Sequence, residues 1–263
     1  SRGLGDVYKR QVFSCMLAFS SLLGNVEGQN IYRIWYDKPA SYWEEALPVG
    51  NGRIAAMVFG DPQLEQIQLN EETVSAGSPY QNYNEEAKTA LPEMRRLIFE
   101  GKYEEAQNMA ATKILSQVGN EMPYQTVGRL NIRYQDHKKV NNYYRDLDIS
   151  NAVAVTRYEV DGVEFTEETF ASFTDQLVIR HIKASKPGTI NCELFFNTPM
   201  RDPKRSIYGK KGLRLEGITH GSRYFPGKVH YCADLDVKHK GGKVITANAV
   251  SYTHLTLPTN SLV

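Results

Sequence analysis

From residue 128 onward the chain keeps one rhythm, short runs in which apolar and polar positions alternate, separated by turns rich in glycine and proline. The runs are 130–134, 152–160, 163–173, 177–184, 189–197, 213–219 and 229–238. A period of two is the pattern of a strand with one face buried, and it predicts a strand for each run. Asp161-Gly162, Lys186-Pro187-Gly188, Gly209 to Gly212, Pro226-Gly227 and Gly241-Gly242 supply the turns between them. Upstream, the apolar run 53–59 ends at Gly60-Asp61-Pro62. Residues 63–69 then alternate imperfectly around Leu64, Ile67 and Leu69, which predicts a hairpin. Before it, Val49-Gly50-Asn51-Gly52 suits a tight turn with positive φ.

The period changes between residues 84 and 115. Asn84 is placed to cap a helix carrying Glu85 and Glu86 in its first turn, and Pro92 falls early enough to be tolerated. Met94, Leu97 and Ile98 recur at helical spacing up to Gly101, and Ala106, Met109, Ala110, Lys113 and Ile114 continue the pattern in 103–115. Many strands, one helix pair and no βαβ alternation predict a mainly β fold, a large antiparallel β-sandwich with a two-helix insertion, in one domain.

Composition narrows the function classes. A chain of 263 residues, 41% hydrophobic and 23% charged, can bury a sizeable core. Its 31 basic and 30 acidic residues leave a net charge of +1, so no strong field draws nucleic acid or an anionic membrane, and a neutral substrate fits. His181, His220, His230 and His239 lack the close spacing of zinc ligands, and no phosphate loop, nucleophile elbow or Cys-His pair occurs. No metal or cofactor is expected. Cys192 alternates with Leu194 and Phe196 as a core strand residue would, and thiols rather than a Cys192–Cys232 disulfide are expected.

The ends read differently from the body. Residues 12–28 form a signal-peptide-like segment, an apolar run behind Lys9-Arg10 that is too short to span a membrane comfortably, which points to a periplasmic or secreted product. Residues 1–11 and 250–263 resemble sequencing-adapter read-through, leaving 29–249 as the biological domain.

Candidate chemistry concentrates in 47–79, LPVGNGRIAAMVFGDPQLEQIQLNEETVSAGSP, where Asn70-Glu71-Glu72-Thr73 gathers polar groups at a strand end. Adjacent residues on a strand point to opposite faces, so Glu71 and Glu72 cannot flank one bond as a catalytic pair. The segment resembles the N-terminal domain of glycoside hydrolase family 95, the α-L-fucosidases, which carry "LPxGNGRxGAMVFG" followed by "LNExTxWxGxP". The resemblance continues through Tyr80 to Asn84, through 90–106 and through Gly128-Arg129-Leu130, and spans 31–248; Ser75 stands where the family has Trp.

The resemblance implies a super-sandwich of two large sheets at the start of an exported, inverting α-L-fucosidase acting on α-1,2-linked fucose of an oligosaccharide or polysaccharide. It also implies that the catalytic Glu and the Asn/Asp group belong to a downstream (α/α)6 barrel on which this domain packs, so no catalytic residue is expected here. By analogy with related barrel enzymes, Asn70, Glu71, Thr73 and Gln81 are candidates for a pocket rim; the plainer reading is that Asn70 to Thr73 only position the strand end. Trp35 and Trp43, with Tyr36, Tyr42, Tyr80 and Tyr83, are candidates for stacking on sugars, against the plainer reading of large aromatics as core. A carbohydrate-binding β-sandwich module, or the scaffold domain of a disaccharide phosphorylase-like enzyme, are the alternatives.

Overall fold

A computed structural model describes residues 32–77, 81–116, 122–221, 226–247, 250–254 and 260–262, with side chains described up to residue 247. The adapter-like 1–11 and the signal-peptide-like 12–28 lie outside the described residues, as does Tyr80. The fold is mainly β, as the alternation predicts. One sheet has six strands in the order β1 (Arg33–Tyr36), β6 (Asn141–Asp148), β7 (Val153–Val160), β8 (Val163–Ser172), β9 (Leu177–Ala184) and β16 (Asn260–Leu262). A second has seven: β14 (Lys243–Ala247), β15 (Val250–His254), β10 (Asn191–Asn197), β5 (Gly128–Tyr134), β4 (Leu64–Glu71), β3 (Ile54–Val58) and β2 (Leu47–Gly50). A small third sheet joins β11 (Arg201–Tyr208), β12 (Gly212–Ile218) and β13 (His230–Leu235). Every pairing is antiparallel.

The inner faces share one core. Ala56, Val58, Ile67, Ile132 and Leu194 of the seven-stranded sheet meet Ala154, Tyr158, Phe165 and Ile182 of the six-stranded one. Leu213, Leu215 and Leu235 of the small sheet join them. Cys192 is buried on β10, Cys232 is exposed on β13, and no disulfide joins them.

The alternating runs all form strands. Strands β1, β2, β6, β11, β14, β15 and β16 fall outside those runs, and for two of them the reason is plain. β6, Asn-Asn-Tyr-Tyr-Arg-Asp-Leu-Asp, buries Arg145, Asp146 and Asp148, so its polar residues hide the pattern. β11 is exposed along its whole length, an edge strand with no apolar face, which is also why it accommodates Pro203.

The helix pair is α1 (Ala87–Phe99) and α2 (Tyr103–Met109), the latter running into a π turn at Ala110–Ile114. Asn84 stands three residues before the first helical residue, Ala87, so Glu86 and not Asn84 occupies the cap position; the Asn84 Oδ1 accepts from the Glu86 N–H at 3.0 Å. Its Nδ2 reaches the Thr112 and Leu115 carbonyls, tying the start of one helix to the end of the other. Ala90, Leu97 and Ala106 are buried. Ile98, expected to face inward, is exposed alongside Phe99 and Tyr103, because the helices pack mainly on each other and need only a narrow apolar stripe.

Candidate functional site

The predicted rim forms where three chain reversals meet. The Gly50-Asn51-Gly52 turn, with Gly52 at φ +94°, links β2 to β3. Asn51 Oδ1 accepts from the N–H groups of Arg53 (3.1 Å) and Ile54 (3.0 Å), so the amide builds its own turn. Its Nδ2 donates to the Ser172 carbonyl at 2.8 Å, docking this turn on the one that joins β8 to β9. Beside it runs the end of β4. Glu71 accepts from the Thr73 N–H (2.8 Å) and hydroxyl (2.6 Å) and from Arg53 Nε (3.2 Å), while Arg53 also reaches Gln176 at 3.5 Å.

Partial burial works to raise the Glu71 carboxyl, but the two Thr73 bonds and Arg53 outweigh it and hold the group below its ordinary value. Glu71 is therefore ionised at neutral pH. It can accept hydroxyl hydrogen bonds but has no proton to give a leaving oxygen. β4 ends at Glu71, and Glu72 follows in the turn, its N–H on the Arg53 carbonyl. The structure thus brings Glu71 and Thr73 together and supplies Arg53, Asn51 and Gln176 beside them. Asn70 is half-buried on β4 opposite Ala55. Gln81 is exposed.

Beyond Thr73 the chain pairs once more. The Ala76 N–H donates to the Pro123 carbonyl and the Gln125 N–H to that of Val74, so Ser75 and Tyr124 face each other as a non-hydrogen-bonded antiparallel pair, the closely spaced kind. An exposed aromatic, Tyr124, therefore stands across from Ser75. Gln125 exchanges two 2.8 Å hydrogen bonds with the backbone of His220, which fastens this strip to the loop after β12.

A second polar constellation lies in the core, and only the structure reveals it. Arg180 on β9 is buried between Glu65 of β4 and Glu167 of β8, so one guanidinium bridges the two large sheets. Its Nη2 donates to Glu65 Oε2 at 2.6 Å and to Glu167 Oε2, and its Nη1 to the Thr169 hydroxyl at 2.6 Å. Glu65 Oε1 accepts from the N–H groups of Gly60 (2.8 Å) and Gln66 (2.9 Å), and Tyr158 donates to Glu167 at 2.5 Å. Burial drives the Glu65 carboxyl up to about 7; Arg180 pulls it down and Glu167 pushes it further up.

His137 closes this group, 3.0 Å from the Pro62 carbonyl and stacked on Tyr134 with ring centres 4.3 Å apart. Burial lowers its pKa, so the ring is neutral, with the Nδ1 proton assigned to the Pro62 carbonyl. The signal in the sequence was the register. Glu65 shares its face with Ile67, Glu167 with Phe165, and Arg180 with Ile182, so three charges sit at positions that alternation assigns to the core. Every oxygen of both carboxylates is hydrogen-bonded and both groups are closed to solvent, so no sugar ring enters between them. Among the described residues, no group of three or more His, Cys, Asp or Glu side chains is placed to hold a metal ion.

Comparison with known proteins places this geometry. The pattern of the glycosyl hydrolase family 65 N-terminal domain matches residues 34–260. The Alpha-L-fucosidase 2 of Arabidopsis thaliana is 37% identical over 181 residues, 66% of this chain and 21% of that protein. Two proteins named Probable alpha-fucosidase A are also similar. That of Aspergillus niger is 26% identical over 162 residues, 58% of the chain and 20% of that protein; that of Aspergillus oryzae is 25% identical over 211 residues, 75% and 28%. The chain thus spans between a fifth and three tenths of the length of these relatives. With a sandwich of the expected kind and a match over nearly all of its length, the chain belongs to the glycosyl hydrolase family 65 N-terminal domain family.

Proposed function

We propose that this chain is the non-catalytic N-terminal domain of an exported α-L-fucosidase of the family 95 type. The parent enzyme removes α-1,2-linked fucose from an oligosaccharide or polysaccharide with inversion, using a downstream (α/α)6 barrel on which this domain packs. Export is by the segment 12–28, and the adapter-like stretch 1–11 is no part of the domain. The observation that carries the reading is the 37% identity to a plant protein named as an α-L-fucosidase. The LPVGNGR and LNEET stretches support the family 95 type. The non-catalytic role is supported by the two kinds of acid in the candidate site. Glu71 is held ionised at the rim, and the Glu65 and Glu167 carboxylates are sealed with Arg180 in the core. An inverting hydrolase needs one acid that holds its proton and a second that activates water across the sugar.

In this reading Asn70, Glu71, Thr73 and Gln81 edge the substrate pocket of the assembled enzyme. Glu71, presented with Arg53 and Thr73, accepts a hydrogen bond from a sugar hydroxyl. The test uses 2'-fucosyllactose. The 263-residue chain releases no fucose, whereas the parent enzyme does, and proton NMR of its first product shows the β-anomer. Turnover by the chain alone refutes the non-catalytic role, and an initial α-anomer refutes inversion. Activity that requires added phosphate moves the parent to the phosphorylases. In the parent, Glu71→Gln raises KM several-fold with little change in kcat; an unchanged KM removes Glu71 from the rim.

A further inference from the structure

We propose that the outer face of the six-stranded sheet carries a glycan-binding platform, separate from the rim and built on Trp35. The proposal takes its ligand class from the glycoside-hydrolase reading above. β1 and β6 pair with Arg33 opposite Asp148 and Trp35 opposite Asp146, which places these side chains on the face turned away from the core, while Tyr36 and Arg145 point inward. Trp35 is 61% exposed although it lies in a paired strand. Tyr144 lies beside it in a near-parallel offset, ring centres 6.2 Å apart and planes 20° from parallel, while most of the Trp35 side chain stays open to solvent. An exposed indole flanked by a second ring offers a stacking surface for an apolar ring face.

What surrounds the ring selects the ligand. Arg33 donates to Asp146 at 2.9 Å and lies 3.6 Å from Asp148; Arg157, opposite Tyr144 on β7, approaches Asp146 at 3.7 Å. Two arginines and two aspartates balance to zero, so the platform has no field for a phosphate, a polyanion or a cationic peptide. The side chains of Arg33 and Arg157 are 35% and 47% exposed, leaving N–H groups free to meet an acceptor from solvent. A flat apolar surface flanked by fixed donors matches a neutral ring with one C–H face and a border of hydroxyls, which is a pyranose. A lipid or an apolar helix would have to bury both exposed arginines.

The experiment exploits there being two tryptophans in the chain. In Trp43→Phe, indole fluorescence reports Trp35 alone, and the variant is titrated with 2'-fucosyllactose and with cellohexaose. One of these sugars gives a saturable intensity change with half-saturation on the order of 1 mM, the range of a single open subsite. Calorimetry on the otherwise native chain gives the same affinity, weakened at least tenfold by Trp35→Ala and by Arg157→Ala, both with unchanged circular dichroism. No saturable change with either sugar, or full affinity in Trp35→Ala, overturns the proposal. So does sedimentation showing that the chain dimerises and that Trp35→Ala makes it monomeric, because the face is then an interface between copies. Hydrolysis plays no part in these readouts. Binding retained while the parent lacks fucosidase activity refutes the enzyme reading alone, and binding lost while activity stands refutes the platform alone.

Discussion

Replacing Arg180 with leucine isolates the clamp between the sheets. The guanidinium is sealed from solvent and compensates Glu65, Glu167 and the hydroxyl of Thr169. Leucine fills part of the volume and leaves two carboxylates facing each other in a dry interior. Breaking a buried ion pair from one side costs about 3–5 kcal/mol. Against a total stability of about 5–15 kcal/mol that is a fifth or more of what holds the domain.

The loss depends on pH, and its sign is fixed. Burial already raises the Glu65 carboxyl to about 7, and without Arg180, which pulls it down, it rises further above its unfolded value. A raised carboxyl contributes stability that is whole below the unfolded pKa, near 4.3, and is lost as pH climbs through the folded pKa. Arg180→Leu is therefore least harmful near pH 5 and most harmful at pH 8. The penalty shrinks at acid pH by about 1.4 kcal/mol for each unit the Glu65 carboxyl has risen beyond its value in the native chain. Urea unfolding of both proteins at the two pH values, followed by circular dichroism, measures it. A loss below about 1 kcal/mol at pH 8, or one equal at both pH values, refutes the clamp.

Further outcomes are expected elsewhere. Gly60→Ala forces φ +75° on a residue whose Cβ would stand 2.8 Å from the Tyr143 hydroxyl and 2.9 Å from Arg145 Cδ; it costs about 2 kcal/mol or more, seen as a lowered thermal midpoint, and an unchanged midpoint contradicts this packing. Asn51→Ala loses the bonds that build the turn and dock it on Ser172, about 1–3 kcal/mol, with amide exchange rising first in 51–54 and 172–176. Burial lowers the His137 pKa, so the native chain loses stability as pH falls below the unfolded value near 6.5. His137→Phe should gain relative to it between pH 8 and pH 5, and equal slopes would mean that the ring is charged in the fold.

The sequence made the sandwich legible wherever a strand pairs an apolar face with a polar one, as β8 does with Val163, Phe165 and Glu164, Thr166. It was silent where that contrast fails. β6 buries charges that a pattern reader takes for solvent-facing residues, and β11 buries nothing. At the rim, Glu71 and Thr73 were legible because polar residues crowd a strand end. Their dependence on Arg53, Asn51 and the 172–176 turn was not, because Asn51 and Ser172 lie 121 residues apart. The imperfect alternation of 63–69 was itself the mark of Glu65, a charge at a core position that only Arg180, 115 residues later, makes tolerable.

The pairing of β1 with β6 bears on how the chain is made. Arg33 and Asp146 are 113 residues apart, so β1 has no partner until β6 has been synthesised. At about 5–20 residues per second that wait is roughly 6–23 s. Meanwhile β2, β3 and β4 emerge in order and can close as neighbours, while Ile34, Trp35 and Tyr36 remain an unpaired apolar strand. During translation this segment is where the nascent domain is most open to a chaperone or to a wrong strand partner, and the arrival of β6 ends that exposure.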